Sequence, residues 1–390
     1  NSTTYQLVSL VTRGGARLAP LGTFRLRGLS SMLFQGRKIY SRLRKLKENF
    51  NEPEQVTELL PLSKDSVPAP VVFPLDEKPQ VSIIIPVFGQ VGVTDRCLRS
   101  VLNARCKHSY EVVVVDDNSP DRTGEYLAGC TGLTVVSNEE NLGYLLSTNK
   151  GVESSSGDYV ILLNNDTEVS DGWIDDLLST FDKYPDTGLV GACLIYPDGR
   201  LQEAGAIIFK DGSGWNYGRF QDPGADLFAS VREVDYCSAA CVAIQRNVWD
   251  EARGFDERFA PAYYEDVDLA FTLRLLGWKV RYQPRVKIIH YEGISHGTDD
   301  SSGLKAHQKI NRSVFVEKWA TELQSHYTNE PQNVWKASAR SVLGKILVAD
   351  YEVPHWDCHA GGQRMKRLLE LLIDLGWHVV FVPGNKSATE

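Results

Sequence analysis

An α/β fold built on a largely parallel sheet is predicted by three features of the sequence. From Val81 onward, short runs rich in Val, Ile and Leu alternate with stretches of helical period. Those runs are apolar nearly throughout, as in strands covered by helices on both faces. No stretch approaches the roughly 18–20 consecutive apolar residues of a membrane span, so none reads as one. The 390-residue chain is 42% hydrophobic and 24% charged, a composition that excludes a disordered or fibrous protein.

The formal charge of −8 is unevenly spread. Residues 1–50 hold ten Lys/Arg and one acid, Glu48, while the rest of the chain carries 32 basic and 49 acidic side chains. An acidic body does not suit a phosphate backbone, so nucleic acid is not an expected partner. Seven scattered cysteines without a C-x-x-C pair predict a reduced, cytoplasmic protein. Tyr5 to Val11 is short and its basic residues follow it, so the start does not read as a secretory signal. Without an initiating Met the chain reads as a fragment.

Five segments follow in order. Residues 1–50 are a basic, partly helical extension, with Leu29, Met32, Leu33, Tyr40, Leu43 and Phe50 at mostly three- and four-residue spacing. It reads as a helix docked on the main domain, or as a basic face drawn to anionic headgroups on the inner side of the plasma membrane. Residues 51–79 hold six of the seventeen prolines and read as an extended linker or strap. Residues 80–325 form the main domain, with strands at Val81–Ile85, Glu111–Val115, Leu133–Ser137 and Tyr159–Leu163. Helices are expected near 93–103, 121–128, 144–155 and 173–183. Right-handed connections make this half Rossmann-like. After about 188 the strands are expected to shorten, with a later helix around Asp266–Leu276. Residues 326–343 read as a linker. In 344–390, strand Lys345–Ala349, glycine-bearing loop His359–Gly362, helix Gln363–Leu375 and strand His378–Val382 make one β-α-β unit. One such unit cannot bury both sheet faces, so it reads as the first slice of a larger domain.

Ligands of open α/β sheets bind beyond the carboxyl ends of the strands. There the sequence places Pro86-Val-Phe88, Asp116-Asp-Asn-Ser119, Asn138-Glu-Glu-Asn-Leu-Gly143 and Asn164-Asn-Asp166. This rim of carboxylates and amides suits a nucleobase, a ribose and a divalent cation. No G-x-G-x-x-G and no Walker A lysine is present, which argues against a dinucleotide or a P-loop triphosphate. Asp166 reads as a hard-cation ligand, or as the cap of the turn before Trp173. Asp116 and Asp117 also read as ordinary turn residues. Glu265 and Asp266 follow two tyrosines at a helix start; they either complement the helix dipole or supply a general base. His290 ends an apolar run, where a lone histidine is more often structural than a ligand. Tyr263, Tyr264 and Trp215 are candidates to stack on sugar faces, against the plainer reading of core packing.

Taken together, these residues resemble glycosyltransferase family 2, of GT-A fold. The resemblance rests on Val81-Ser-Ile-Ile-Ile-Pro-Val-Phe88, Val113-Val-Val-Asp-Asp-Asn-Ser119, Asn141-Leu-Gly-Tyr-Leu-Leu-Ser-Thr-Asn149, Leu162-Leu-Asn-Asn-Asp166, Gly254-Phe-Asp256 and Glu265-Asp-Val-Asp268. Their order and spacing resemble the rhamnosyltransferase-like bacterial members that build surface polysaccharides, and the match spans about 80–300. It implies a mixed Rossmann-like sheet with helices on both faces. Pro86 and Phe88 would shape the base pocket, and Asp116 and Asp117 would bind base and ribose. Asn141, Gly143, Asn149 and Asn165 would line the nucleotide-sugar side. The D-x-D position reads Asn164-Asn-Asp166, leaving Asp166 as its one acid, with His290 completing a Mn2+ or Mg2+ site. Asp266 would be the catalytic base, with Glu265 beside it. The implied reaction is an inverting, metal-dependent transfer of a hexose or deoxyhexose from a UDP- or dTDP-sugar to a glycan or lipid-linked glycan acceptor. Lys345–Val382 resembles the opening of a family 4, GT-B domain, implying a second transferase domain in a longer parent. The rival readings are a sugar-nucleotide pyrophosphorylase, faintly echoed by Arg13–Gly22, and a non-catalytic glycan-binding module.

Overall fold

The computed structural model describes residues 67–76, 78–291, 304–340 and 342–383. The basic extension 1–50, with its Arg13–Gly22 run, and residues 51–66 of the strap lie outside the described residues. The rest of the strap is extended: Phe73 N donates to Thr131 O at 2.9 Å, and Val71 and Phe73 are buried.

A ten-stranded mixed sheet forms the centre. Strands β1 (Val81–Val87), β2 (Tyr110–Asp116), β3 (Thr134–Ser137) and β4 (Tyr159–Leu163) are mutually parallel, in the order β4-β1-β2-β3. Beyond β4 the order continues through antiparallel β11 (Cys241–Gln245) to β6 (Thr187–Ile195), β12 (Lys279–His290) and β10 (Arg232–Glu233). Short β5 (Thr167–Glu168) pairs with β12, and β7 (Leu201–Glu203) with β6. A separate hairpin joins β8 (Ala206–Ile208) and β9 (Gly214–Asn216).

Alternating side chains build two cores, one on each face. Ile83, Ile85, Val112, Val114, Ile161 and Leu163 pack with helices α1 (Val91–Asn103), α2 (Thr123–Gly129) and α4 (Trp173–Lys183). Ile84, Val113, Val115, Val160 and Leu162 pack with α3 (Tyr144–Glu153), α5 (Arg246–Ala252) and α6 (Glu265–Leu275). Each fully buried Ile, Val or Leu contributes ~1.5–3 kcal/mol, so the apolar runs set both the strands and their cover.

The sheet does not dwindle after residue 188. β6 and β12 are its longest strands, at 9 and 12 residues. A register shift between Gln283 and Lys287 breaks the apolar pattern of β12 around Pro284, which lacks an amide donor. The stretch 326–343, expected as a linker, is instead packed onto the sheet domain as far as Arg340. His326 Nδ1 lies 2.6 Å from Ile208 O and its ring stacks on Phe271. Ala337, in the short helix α8 (Val334–Ala337) that follows α7 (Leu304–Lys318), is buried in the core, and Arg340 pairs with Asp235.

Parallel strands β13 (Gly344–Asp350) and β14 (Trp377–Pro383), with crossover helix α9 (Ala360–Asp374), form a second sheet of two strands. Gly361 and Gly362 belong to the first turn of α9 rather than to a loop, because His359 Nδ1 accepts the Gly362 amide at 3.0 Å and caps the helix. Leu347, Leu371 and Ile373 remain exposed, as expected of one β-α-β unit.

Candidate active site

β4, β1, β2, β6 and β12 all end at one rim, and antiparallel β11 begins there. The first group on this rim is formed by the ends of β1 and β2 and the loop before α3. Pro86 is buried within β1, whereas Phe88, just past the strand end, keeps 40% of its surface exposed and presents an aromatic face. Asp116 Oδ1 accepts the Ser119 amide at 3.0 Å, a turn contact. Asp117 is buried and organises the next loop: its oxygens accept the amides of Leu142 and Gly143, each at 2.8 Å, and the Asn138 side chain. Asn141 is exposed, and its Oδ1 accepts the Gly143 amide at 3.1 Å. Gly143 takes φ +85°, and a Cβ there would lie 2.5 Å from Pro261 Cβ. This close approach joins the nucleotide half to the turn that leads into Glu265.

Two expected lining residues have side-chain amides engaged within the fold. Asn149 exchanges hydrogen bonds with the Phe255 backbone, Nδ2 to O and N to Oδ1, each at 3.0 Å. Its amide thus fastens the Gly254-Phe-Asp256 turn. Asn165 donates to buried Thr94 Oγ1 at 3.0 Å and anchors the end of β4 to α1.

The second group joins Asp166 to His290. Pairing of β5 with β12 sets Thr167 opposite His290, and Tyr291 N donates to Asp166 O at 2.9 Å. The buried Asp166 Oδ1 therefore lies 3.3 Å from His290 Nε2. Gln202, buried on β7, places Oε1 2.8 Å from His290 Nδ1. An amide oxygen only accepts, so Nδ1 donates to it and Nε2 is the ring nitrogen that faces Asp166. With Nε2 unprotonated, this carboxylate and imidazole could together hold a Mn2+- or Mg2+-type cation. Among the described residues no group of three or more His, Cys, Asp or Glu side chains could hold a metal alone.

The third group is Glu265 and Asp266 at the start of α6. Tyr263 and Tyr264 precede them with φ of 75° and 73°, a left-handed pair that costs about 1–3 kcal/mol per residue and persists only if held. Asn311 on α7 holds it, its amide donating to the carbonyls of Phe259, Ala262 and Tyr263 at 2.7–2.9 Å. Tyr264 is a packing residue, with its hydroxyl bonded to Gly212 O and its ring on Phe315. Trp215 packs edge-on against Phe209. Burial, reinforced by the neighbouring Asp266 charge, pushes the Glu265 carboxyl well above its ordinary range. Burial also raises Asp266, to about 6, while the amides of Val267 at 2.8 Å and Ala239 at 3.3 Å restrain the rise. Two adjacent carboxyls raised in this way do not ionise together readily, so the pair favours a single negative charge near neutrality.

A short segment before β11 ties the groups together. Ser238 N donates to the buried Glu203, Ala239 N to Asp266, and Ala240 O accepts the Asn164 amide. Ala239 O accepts from the Tyr144 hydroxyl at 3.2 Å. Burial lifts that phenol well above its usual range, with the charges of Glu265, Asp266 and Asp166 adding to the rise. Tyr144 thus feels both the carboxylate pair and Asp166. The remaining acids of these motifs point elsewhere: Asp256 and Asp268 both receive Lys318 Nζ at 2.8 Å, and Trp319 Nε1 donates to Asp268 at 2.7 Å.

This rim is the setting for the comparison with known proteins. Residues 82–249 match the family model of glycosyl transferase family 2. The segment is a glycosyltransferase family 2 domain. The chain is 29% identical to an uncharacterized protein of Sinorhizobium fredii over 64% of its length, and 30% identical to an O-antigen biosynthesis protein of Myxococcus xanthus over 60%. These matches span only 28% and 19% of those relatives' own length. It is also 27% identical over 53% of its length to an N-acetylglucosaminyl-diphospho-decaprenol L-rhamnosyltransferase of Mycobacterium tuberculosis, covering 75% of that protein. Among solved structures, GalNAc-T7 with UDP, GalNAc and Mn2+ has a TM-score of 0.50 at 18% identity, covering 64% of this chain and 50% of that one. That likeness concerns the fold alone, which is of GT-A type. In the glycosyltransferase domain, Gln202, Glu203 and the 238–240 segment lie within the matched residues, while Glu265, Asp266, His290 and Asn311 lie beyond them. No helix among the described residues is long and apolar enough to cross a membrane.

Proposed function

We propose that this glycosyltransferase domain transfers a hexose or deoxyhexose from a UDP- or dTDP-sugar to a hydroxyl of a growing bacterial surface glycan, with inversion at the anomeric carbon. The observation that carries the reading is the adjacent Glu265 and Asp266 carboxyls at the start of α6, on the same rim as the Asp166–His290 pair. The likeness to the Myxococcus O-antigen biosynthesis protein and to the Mycobacterium rhamnosyltransferase supports the substrate class.

In this reading the donor base lies against Phe88, and the loop that Asp117 holds through Leu142 and Gly143 closes on the ribose. Asp266 takes the proton from the acceptor hydroxyl as that oxygen bonds to the anomeric carbon. The bond to the diphosphate breaks on the opposite face, and its electron pair leaves with the nucleotide. With a single negative charge on the pair, Glu265 adds no second charge to repel the acceptor oxygen. Asp166 and His290 would hold a divalent cation, which supplies positive charge to the departing diphosphate. The basic residues 1–50 would bring the domain to an anionic membrane surface that carries a lipid-linked acceptor. Residues 344–383 would open a second transferase domain of the parent protein.

The test is a thermal-shift screen of nucleotide sugars with and without Mn2+, since a ligand that binds the native state raises its Tm. A Mn2+-dependent shift with a UDP- or dTDP-sugar is expected. No shift with any donor would remove the transferase reading in favour of a binding module.

A further inference from the structure

A cavity of about 190 Å3 lies at the far end of the helix that carries Asp266. Arg274, in the last turn of α6, lines it together with Arg232 of β10 and Arg340 from the C-terminal stretch. Arg274 is eight residues on from Asp266, or roughly 12 Å along the axis, so the cavity is separate from the catalytic rim.

Its charge is lopsided. Two carboxylates are present, Asp235 and Glu233. Asp235 is already engaged: one oxygen accepts the Ile208 amide at 2.8 Å, and the other pairs with Arg340 and lies 3.7 Å from Arg274. Glu233 lies 3.9 Å from Lys279 Nζ. The neighbouring His326 is pushed down to about 4, chiefly by burial, and adds no charge near neutrality. Lys279 is itself held by Asp186 at 3.0 Å, so the cavity lining proper is three guanidinium groups against two acids.

The arginines are also short of acceptors. Arg232 donates to Ala204 O and Arg274 to Asp235 O, yet Arg232 Nε, Arg274 Nη2 and Arg340 Nε are buried with no hydrogen-bond partner among the described residues. Native interiors rarely leave such donors unpaired. Two of the three forks are braced by aromatic rings, Arg232 on Tyr217 at 4.5 Å and Arg274 on Phe271 at 4.2 Å. Held, planar, donor-rich guanidinium groups around a cavity are the chemistry that recognises a phosphate.

We propose that this cavity is a second ligand site, which takes a phosphate group between Arg232, Arg274 and Arg340. Occupancy supplies acceptors to the unpaired donors and ties the C-terminal stretch to the far end of the base-bearing helix. Inorganic phosphate is the probe, titrated against Tm at ionic strength held constant with chloride. A saturable rise is expected in wild type and in Asp166→Asn, whose catalytic rim is altered, and at least a tenfold weaker response in Arg340→Gln. A wild-type crystal soaked in tungstate should show anomalous density among the three arginines, a readout that needs no variant to fold. An equal response in Arg340→Gln, no saturable response, or tungstate only at the Asp166 rim would overturn the proposal.

Discussion

Gln202 Oε1 sits 2.8 Å from His290 Nδ1, and that contact decides which nitrogen of the imidazole faces Asp166. Without it the ring is free to turn and to change tautomer. Gln202→Leu is therefore expected to weaken Mn2+ binding about 10–100-fold, the usual cost of losing a partner that orients a ligand. The measurement is the Mn2+ concentration that half-saturates the thermal shift. Gln202→Glu keeps an acceptor and should recover most of the affinity; an unchanged Gln202→Leu would separate His290 from the cation.

The raised Asp266 carboxyl sets a pH limit on turnover. A base must be ionised, so the rate at saturating donor should fall about tenfold per pH unit below about 6. Stability runs the opposite way. A carboxyl whose folded pKa lies above its unfolded 3.8 contributes stability that is fully present below the unfolded value and is lost as pH rises through about 6. Asp266→Asn removes that loss. Its Tm relative to wild type should therefore climb from about pH 4 to about pH 6 and level off above, which a pair of melting series reads directly.

Gly143 is expected to tolerate no side chain. Its φ of +85° and the 2.5 Å approach to Pro261 mean that Ala must displace the turn leading to Tyr263 and Glu265. Gly143→Ala should cost about 1–3 kcal/mol, a range typical of overpacking, and should lower donor affinity and turnover together. Denaturant titration and steady-state kinetics on the same preparation check both.

Asp268 belongs to the same sequence motif as Asp266 but holds the fold. Its oxygens accept from Lys318 and Trp319, and it is buried. Asp268→Ala leaves Lys318 its second carboxylate, Asp256, but takes the acceptor from the buried Trp319 Nε1, and should cost about 1–3 kcal/mol. At a temperature where the variant remains folded, its donor affinity should match wild type.

How much of this was legible in the sequence depends on the range of the interaction. β4 spans Tyr159–Leu163 and α4 begins at Trp173 as expected, because apolar runs and helical period are local signals. The rim followed, since strand ends are read from strands. β12 was harder, because Pro284 and its register shift interrupt the alternation that marks a strand. Asn149 and Asn165 looked like rim residues by position, yet an amide serves a turn or a neighbouring helix equally well. Gln202, Asn311 and Lys318 gave no local sign. Each acts on a partner distant in the chain, and only packing chooses that partner. Gln202 had a faint signal, a neutral polar residue beside Glu203 in an apolar stretch.

The central claim is that Asp266 is the base of a nucleotide-sugar transfer. Its most direct test is release of nucleoside diphosphate from a bound donor, in the presence of acceptor, by wild type and Asp266→Asn. The account predicts that both bind the donor with equal affinity and that only wild type releases nucleotide, with the variant reduced at least about 100-fold. Release at the wild-type rate by Asp266→Asn would contradict it.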